Sequence, residues 1–220
     1  MSGQPLAAVL WDMDGTLVDS EPIWIRAQQR LVAEHGGSWT FEEGLTLVGT
    51  DMDVTAQAIQ AAGVRLPAER IIRRLTDEVT AELGREVAWR PGAFELVSAL
   101  QGANIPQAIV TTSPLAMTRL VADALPPGAV HTIVAGEHVQ NGKPDPEPYL
   151  TAARNLGVEP ASCIAIEDSP TGLAAAIAAG TVPIGVPNDA DLDGLAPGWT
   201  RLASLAGVGV DDLVRILQQP

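Results

Sequence analysis

Short runs of consecutive apolar residues recur along the chain at the length of β-strands. Five such runs are apolar at almost every position and do not alternate with polar residues: Ala7–Trp11, Gln107–Thr111, Val130–Val134, Cys163–Ile166 and Val182–Val186. A strand that is apolar on both faces is typical of a parallel sheet covered by helices. The pattern therefore predicts a buried sheet with these five segments as its strands.

Helical segments separate the runs from about residue 91 onward. Pro or a capping residue stands at the start of helices predicted near Ala93, after Pro146 and near Leu173, and two of these helices stop at Gly157 and Gly180. Strands that alternate with helices are typical of α/β proteins. We therefore predict an α/β fold whose core is a doubly wound (Rossmann-like) parallel sheet.

The interval 20–90 breaks this alternation, because it contains helical patterns and no convincing strand. Its helices are predicted at Glu21–Glu34, about Asp53–Ala62 and Pro67–Leu83. We therefore predict two domains. Residues 1–19 and 91–220 form the α/β core, and residues 20–90 form a small helical domain inserted into it.

The inserted domain holds eight of the twelve arginines of the chain. Arg73 and Arg74 each have a glutamate four residues away in the predicted helix Pro67–Leu83, in the pairs Glu69/Arg73 and Arg74/Glu78. Residues four apart are neighbours on a helix surface, so the spacing predicts solvated ion pairs within one helix. Such pairs favour an ordinary solvated surface over a surface that attracts substrate.

Composition and charge exclude several classes of function. The 220 residues are 46% hydrophobic and 18% charged, which is typical of a folded chain. Asp and Glu outnumber Lys and Arg by 27 to 13, and so acidic a chain should bind neither nucleic acid nor an anionic membrane. The single cysteine, Cys163, cannot form an intramolecular disulfide, and the apolar run Leu6–Trp11 is too short for a secretory signal. We therefore expect a cytoplasmic protein.

Two aspartates follow directly after the first predicted strand, in the segment WDMDGT at residues 11–16. Open α/β sheets bind ligands at the carboxyl ends of their strands. Asp12 and Asp14 are close enough to share a divalent cation or to push each other's pKa values apart. Gly15 permits the tight turn that follows, and Thr16 offers a hydroxyl beside it. Charged residues rarely stand next to a buried strand unless they have a function, so both aspartates are predicted to be functional.

Further polar residues follow the later strands. The second strand closes with hydroxyls and free backbone N–H groups just before a helix, in the segment Val110, Thr111, Thr112 and Ser113, which is a reasonable cradle for phosphate. Lys143 is the only lysine of the chain and stands next to a predicted helix start. Glu167 and Asp168 follow the fourth strand, and carboxylates grouped at one sheet edge suit Mg²⁺.

In order and context these segments resemble the four motifs of the haloacid dehalogenase superfamily, over nearly the whole chain. The subfamily that it resembles is that of the β-phosphoglucomutase-like phosphatases, through DGTLVDSEP, GKPDPEPY and IEDSPTG. The resemblance implies that the inserted helices are a cap domain. It also implies an Mg²⁺-dependent phosphatase that hydrolyses a small phosphorylated metabolite, a sugar phosphate or an organic acid phosphate, through an aspartyl-phosphate. Since the cap already covers the site, a monomer is expected.

The resemblance further implies a role for each motif residue. Asp12 would be the nucleophile, and Asp14 would be the acid that protonates the leaving oxygen and then the base that activates water. Lys143 would also be catalytic. The metal ligands would be Asp12, Asp14 through its carbonyl, Asp168 and nearby Glu167, and the phosphate ligands would be Thr16, Thr111, Thr112 and Lys143.

Substrate choice is expected to depend on the cap residues Trp24, Gly49 and Met52, although Trp and Met are equally typical of packing within the cap. The mutase branch of the subfamily has a His and an Arg where this chain has Trp24 and Met52, and the predicted cap has no Lys. A phosphatase is therefore favoured over a β-phosphoglucomutase-like phosphotransferase. The alternative from another functional class is a receiver-like or non-catalytic phosphate-binding protein. The helical insertion and the DxDGT segment argue against this alternative.

Overall fold

Six strands form one sheet in the computed structural model, which describes residues 5–48, 50, 52–188 and 192–219. The strands are β1 Ala8–Trp11, β2 Gln107–Val110, β3 Thr132–Val134, β4 Cys163–Glu167, β5 Val182–Gly185 and β6 Thr200–Arg201. Their order is β3-β2-β1-β4-β5-β6, and every neighbouring pair is parallel. The predicted α/β fold with a doubly wound parallel sheet is confirmed. Only β6 was missed, because two residues are too few to give an apolar run.

Nine α-helices occur in the described part of the chain. They are α1 Glu21–Glu34, α2 Phe41–Leu45, α3 Met52–Ala61, α4 Ala68–Leu83, α5 Ala93–Gly102, α6 Leu115–Ala124, α7 Glu147–Leu156, α8 Pro170–Ala178 and α9 Val210–Leu217. Sequence periodicity missed α2 and α9, which are short, with five and eight residues. None of the described helices combines the length and the apolar character needed to span a bilayer.

The backbone divides into two compact units. The first consists of the residues up to Asp19 and those from Trp89 onward, and it contains the sheet and α5–α9. The second, Ser20–Ala88, contains α1–α4.

Burial of the strands fixes how they align. Every residue of β1, β2 and β4 is buried, and Trp11 of β1 lies opposite Ile109 of β2 and Ile166 of β4. A slip of one residue would exchange the two faces of a strand, so the register is strongly specified. The Trp11 indole donates a hydrogen bond of 2.9 Å to Gln107 Oε1, and Gln107 Nε2 donates to the carbonyl of Val97 at 3.0 Å, so this buried amide is satisfied. Because β1 lies between β2 and β4 in the sheet, the residues that follow β1 emerge between the ends of these two strands.

Helices α1 and α4 pack against each other in the second unit. Every fourth residue of α4 is buried, giving the apolar stripe Ile71, Leu75, Val79 and Leu83. Arg74 Nη2 bonds to Glu34 at 2.7 Å, and Arg30 bonds to Glu78. The predicted Arg74/Glu78 pair within α4 is therefore wrong, because both side chains bond to α1, which packing places within their reach.

Candidate active site

Lys143 lies at the centre of the polar residues that gather at the carboxyl edge of the sheet. Its Nζ donates hydrogen bonds to Asp12 Oδ1 at 2.5 Å, to Glu167 Oε1 at 2.6 Å and to the carbonyl of Val110 at 2.9 Å. These three acceptors use all three N–H donors of the ammonium group. The Lys143 side chain is only 6% exposed. One cation thus joins the ends of β1, β2 and β4.

The loop that carries Lys143 is held by Glu147, the first residue of α7. The Glu147 carboxylate accepts hydrogen bonds of 2.9 Å from the backbone N–H groups of Gln140 and Asn141. These bonds hold the pKa of Glu147 below its usual value, because they favour the charged form. The loop is therefore anchored just before the lysine.

Glu167 is fully buried, and both oxygens of its carboxylate accept hydrogen bonds. Tyr149 donates its hydroxyl to Oε1 at 2.6 Å, in addition to the bond from Lys143. Ser169 Oγ donates to Oε2 at 3.0 Å. Burial, and then the negative charge of Glu167, raise the pKa of Tyr149 well above its ordinary value, so the hydroxyl stays a donor. Neither Tyr149 nor Ser169 was among the predicted site residues, although Tyr149 is the only tyrosine of the chain.

Gly172 is required by the position of Glu167. A Cβ built on Gly172 would lie 1.9 Å from Glu167 Cδ, and the carboxylate has no room to move because its bonds hold it in place. We expect Gly172→Ala to lower the free energy of unfolding by roughly 1–3 kcal/mol, as overpacked cores do. Urea denaturation followed by circular dichroism measures this loss.

Gly102 provides the matched control for Gly172. It ends α5, and a Cβ added there would meet no atom within 4 Å. Gly102→Ala is expected to leave stability unchanged or to raise it by about 0.4–1 kcal/mol, because alanine restricts the unfolded chain. If the two variants unfolded at the same urea concentration, this result would contradict a tight contact between Gly172 and Glu167.

The charges around Asp12 act on its protonation. Burial and then the nearby charge of Glu167 raise the pKa of Asp12, and the ammonium of Lys143 only partly opposes them. Burial by itself would lower the pKa of Lys143, but the two carboxylates outweigh it and raise that pKa above its usual value. The ammonium therefore stays charged, and the site keeps an excess of negative charge.

A hard cation fits this excess of carboxylate. One carboxylate oxygen from each of Asp12, Glu167 and Asp168 lies within 4.8 Å of the others, and all three residues are buried. Oxygen donors of this kind suit Mg²⁺. Thr16 Oγ1 donates to Asp168 Oδ1 at 3.3 Å, so the hydroxyl that was predicted to bind phosphate orients an acid of this cluster. Among the described residues, the Asp14 carboxylate is not part of the cluster, which leaves the carbonyl as the predicted contribution of Asp14.

The segment after β2 offers fewer free N–H groups than predicted. The Ser113 N–H donates to Thr111 Oγ1 at 3.0 Å, and the Leu115 N–H donates to both carboxylate oxygens of Glu137 at 3.0 Å. The Thr112 N–H, by contrast, has no acceptor within the described ranges. The Thr111 N–H donates to the Val134 carbonyl at 2.9 Å. The predicted cradle of free N–H groups is therefore wrong for Thr111 and Ser113 and is reduced to Thr112.

Asp14 stands on the turn that leaves β1 and is more exposed than Asp12. Gly15 makes this turn possible, because its φ of 80° lies in the left-handed region and its N–H donates to the Val18 carbonyl at 2.8 Å. Ser113 Oγ donates to Asp14 Oδ2 at 2.6 Å. The structure thus places Asp14 beside the end of β2, where Ser113, predicted only as part of the phosphate cradle, contacts it instead.

The predicted substrate residues belong to the second unit. Trp24 in α1 and Met52 at the start of α3 are half-buried, and Gly49 lies outside the described residues. Their role in substrate choice stays a prediction.

The chain is similar to known proteins over most of its length. The family model for haloacid dehalogenase-like hydrolases matches residues 9–186. Hexitol phosphatase A of Escherichia coli (strain K12) is 37% identical over 187 residues, 83% of this chain and 83% of that protein. Phosphorylated carbohydrates phosphatase of Thermotoga maritima is 30% identical over 178 residues, 80% of this chain and 82% of that protein. The solved structure of CbbY from Rhodobacter sphaeroides in complex with phosphate has a TM-score of 0.82 at 31% identity and covers 94% of this chain and 99% of that chain.

Proposed function

The chain belongs to the haloacid dehalogenase-like hydrolase family and is a phosphoric monoester hydrolase, and we propose that it cleaves a small phosphorylated metabolite, above all a sugar phosphate, through an aspartyl-phosphate on Asp12. One observation carries this proposal. Lys143 Nζ bonds to Asp12 and Glu167 at one sheet edge, with Asp14 just after Asp12 and with the Thr112 N–H, which has no acceptor in the described part of the chain, after the neighbouring strand β2. The names of two relatives, a hexitol phosphatase and a phosphorylated carbohydrates phosphatase, favour a sugar phosphate over an organic acid phosphate.

The two aspartates divide the reaction into two steps. In the first, a carboxylate oxygen of Asp12 forms a bond to phosphorus while the bond from phosphorus to the ester oxygen breaks, and that oxygen takes the proton of Asp14 and leaves as an alcohol. In the second, water gives a proton to Asp14 and attacks the phosphorus, which releases inorganic phosphate and restores the Asp12 carboxylate. Asp14 regains its proton, so the cycle closes.

The remaining contributions to catalysis are the positioning of the phosphate group and the stabilisation of its negative charge. Lys143 would offset negative charge on Asp12 and on the transferring oxygens, and the Thr112 N–H and the Thr111 hydroxyl would bind those oxygens. Mg²⁺ held by Asp12, the Asp14 carbonyl and Asp168, with Glu167 close by, would offset the repulsion between Asp12 and the phosphate.

The helical unit is proposed to act as a cap that selects the substrate. Residues 20–90 would form this cap on a core of residues 1–19 and 91–220. Trp24 and Met52 would contribute apolar surface to it, with Gly49 in the segment before Met52. The cap sequence contains no lysine to hold a second phosphate, so water is the favoured acceptor and hydrolysis is favoured over phosphotransfer.

Phosphate release from a panel of substrates tests the function. We expect hydrolysis of at least one of glucose 6-phosphate, sorbitol 6-phosphate, fructose 1-phosphate and phosphoglycolate, with 4-nitrophenyl phosphate as a general reporter. Excess EDTA should abolish the activity, because Asp12, Glu167 and Asp168 then repel both one another and the substrate. Added Mg²⁺ should restore it.

EDTA saturated with Mg²⁺ before addition is the control for effects of the chelator itself. Activity that survives metal-free EDTA would contradict the metal role. Phosphate that appears on a sugar acceptor, with none released to water, would show a phosphotransferase. No turnover of any substrate would count against the proposed function.

A further inference from the structure

A hydroxyl that was predicted only as part of the phosphate cradle holds Asp14. Ser113 Oγ and Asp14 Oδ2 are 2.6 Å apart, a short hydrogen bond in which the serine donates to the carboxylate. Thr111 Oγ1 lies 3.5 Å from the same oxygen, which makes it a much weaker contact. A bond as short as that from Ser113 restricts the rotamers open to the half-exposed Asp14 side chain.

Ser113 is itself fixed on both sides of its backbone. Its N–H donates to Thr111 Oγ1 at 3.0 Å, and its carbonyl accepts from the Gly136 N–H at 3.2 Å. Gly136 lies so close to this loop that a Cβ added there would be 2.6 Å from the Thr112 carbonyl oxygen. A hydroxyl on so constrained a backbone loses little further freedom when it holds a second side chain.

We propose that Ser113 is a positioning residue, which holds the Asp14 carboxyl group in line with the oxygen that leaves the phosphate and with the water that follows. The inference rests on the proposed function, because Asp14 transfers protons only if the chain hydrolyses phosphate esters. Ser113 forms and breaks no covalent bond. It acts by keeping one oxygen of Asp14 at a fixed place.

Substrates with different leaving groups distinguish a role of Ser113 in positioning Asp14 from a role in binding phosphate or supporting the loop. The alkoxide of a sugar is a poor leaving group and needs the proton of Asp14 as the ester bond breaks, whereas 4-nitrophenolate is a stable anion and leaves without it. The ratio kcat/KM reports the steps up to release of the alcohol or phenol. A displaced acid therefore lowers kcat/KM for the sugar phosphate much more than for 4-nitrophenyl phosphate.

The test compares Ser113→Ala, Ser113→Thr and Ser98→Ala with the wild-type enzyme. The two substrates are 4-nitrophenyl phosphate and the sugar phosphate that the wild type hydrolyses best. For Ser113→Ala we expect kcat/KM to fall about 100-fold with the sugar phosphate, the scale of a misplaced reacting group, and less than about 5-fold with the aryl phosphate. Ser113→Thr keeps a hydroxyl on the same Cβ and should recover most of the loss. Ser98→Ala removes a hydroxyl that donates only to the Phe94 carbonyl within α5, so it should leave both ratios unchanged.

Three outcomes would overturn the inference. An equal loss on both substrates would show that the Ser113 hydroxyl binds phosphate or supports the loop, while the proposed function would stand. Wild-type activity in Ser113→Ala would show that the Asp14 contact has no role in turnover. If the wild type hydrolyses neither substrate, the proposed function fails, and the role of Ser113 fails with it.

Discussion

Asp12→Asn is expected to lower kcat by at least about 10⁴-fold, the scale on which loss of a catalytic nucleophile acts. The carboxamide cannot form the acyl phosphate, because its oxygen is a weak nucleophile and carries no charge. The side chain keeps its size, and its oxygen can still accept the hydrogen bond from Lys143 Nζ, so the fold should persist. Phosphate release under substrate saturation measures the loss.

Two further measurements separate chemistry from folding in this variant. Its circular dichroism spectrum should match that of the wild type, and calorimetry should still detect binding of the substrate, which the variant cannot turn over. Asp123→Asn makes the same chemical change on an exposed position of α6 and should retain full activity. A residual rate within about 100-fold of the wild type would refute Asp12 as the nucleophile, since such a loss is typical of misplacement and not of a missing nucleophile.

Lys143→Met should cost the protein both activity and stability. The substitution leaves buried Asp12 and Glu167 without their shared cation, and removing one partner from a buried ion pair destabilises a protein by about 3–5 kcal/mol. Turnover should fall by at least about 100-fold, because the charge that is proposed to offset the transferring oxygens is lost. Urea denaturation and phosphate release measure the two effects.

Arg215→Met is the matched control for the loss of one positive charge. Arg215 is 72% exposed and bonds only to Asp212 on α9, so its removal should change stability by less than about 1 kcal/mol. If Lys143→Met were as stable and as active as Arg215→Met, the ammonium would not be the cation that holds the ends of β1 and β4 together.

Local signals predicted the first strand and its acids. An apolar run that leads directly into two carboxylates is visible in seven consecutive residues, and it needs no knowledge of the rest of the chain. Lys143 was noticed for a different reason, because it is the only lysine. Its partners could not be read from its neighbours, since Asp12 is 131 residues away and Glu167 is 24 residues away.

Residues that support the acids gave weaker signals. Ser113 and Ser169 are of a type that commonly caps helices and turns, so their sequence context did not distinguish them. Tyr149 lies on the buried side of α7 and was indistinguishable from a packing residue. The hydroxyls of Ser113 and Tyr149 contact acids that follow or end other strands, whereas Ser169 contacts Glu167 only two residues before it.

The ion pairs on the surface could likewise not be predicted from spacing along one helix. Regular spacing along α4 predicted that Arg74 and Glu78 would pair, yet both bond to α1. Helical spacing measures distance along one helix, whereas long arginine and glutamate side chains also reach the helix packed beside it.

The sequence by itself determined the class of the fold, five of its six strands and the acids and lysine that are proposed to carry its chemistry, because apolar runs and charged residues next to them are local features. Only the tertiary structure decided which of these groups touch. Register across β1, β2 and β4 brings Asp12 and Glu167 to one ammonium and sets Ser113 against Asp14. It also leaves the Thr112 N–H without an acceptor among the residues that the structure describes. Contacts of this kind depend on atoms from segments far apart in the chain, and burial of the strands is what fixes their distances.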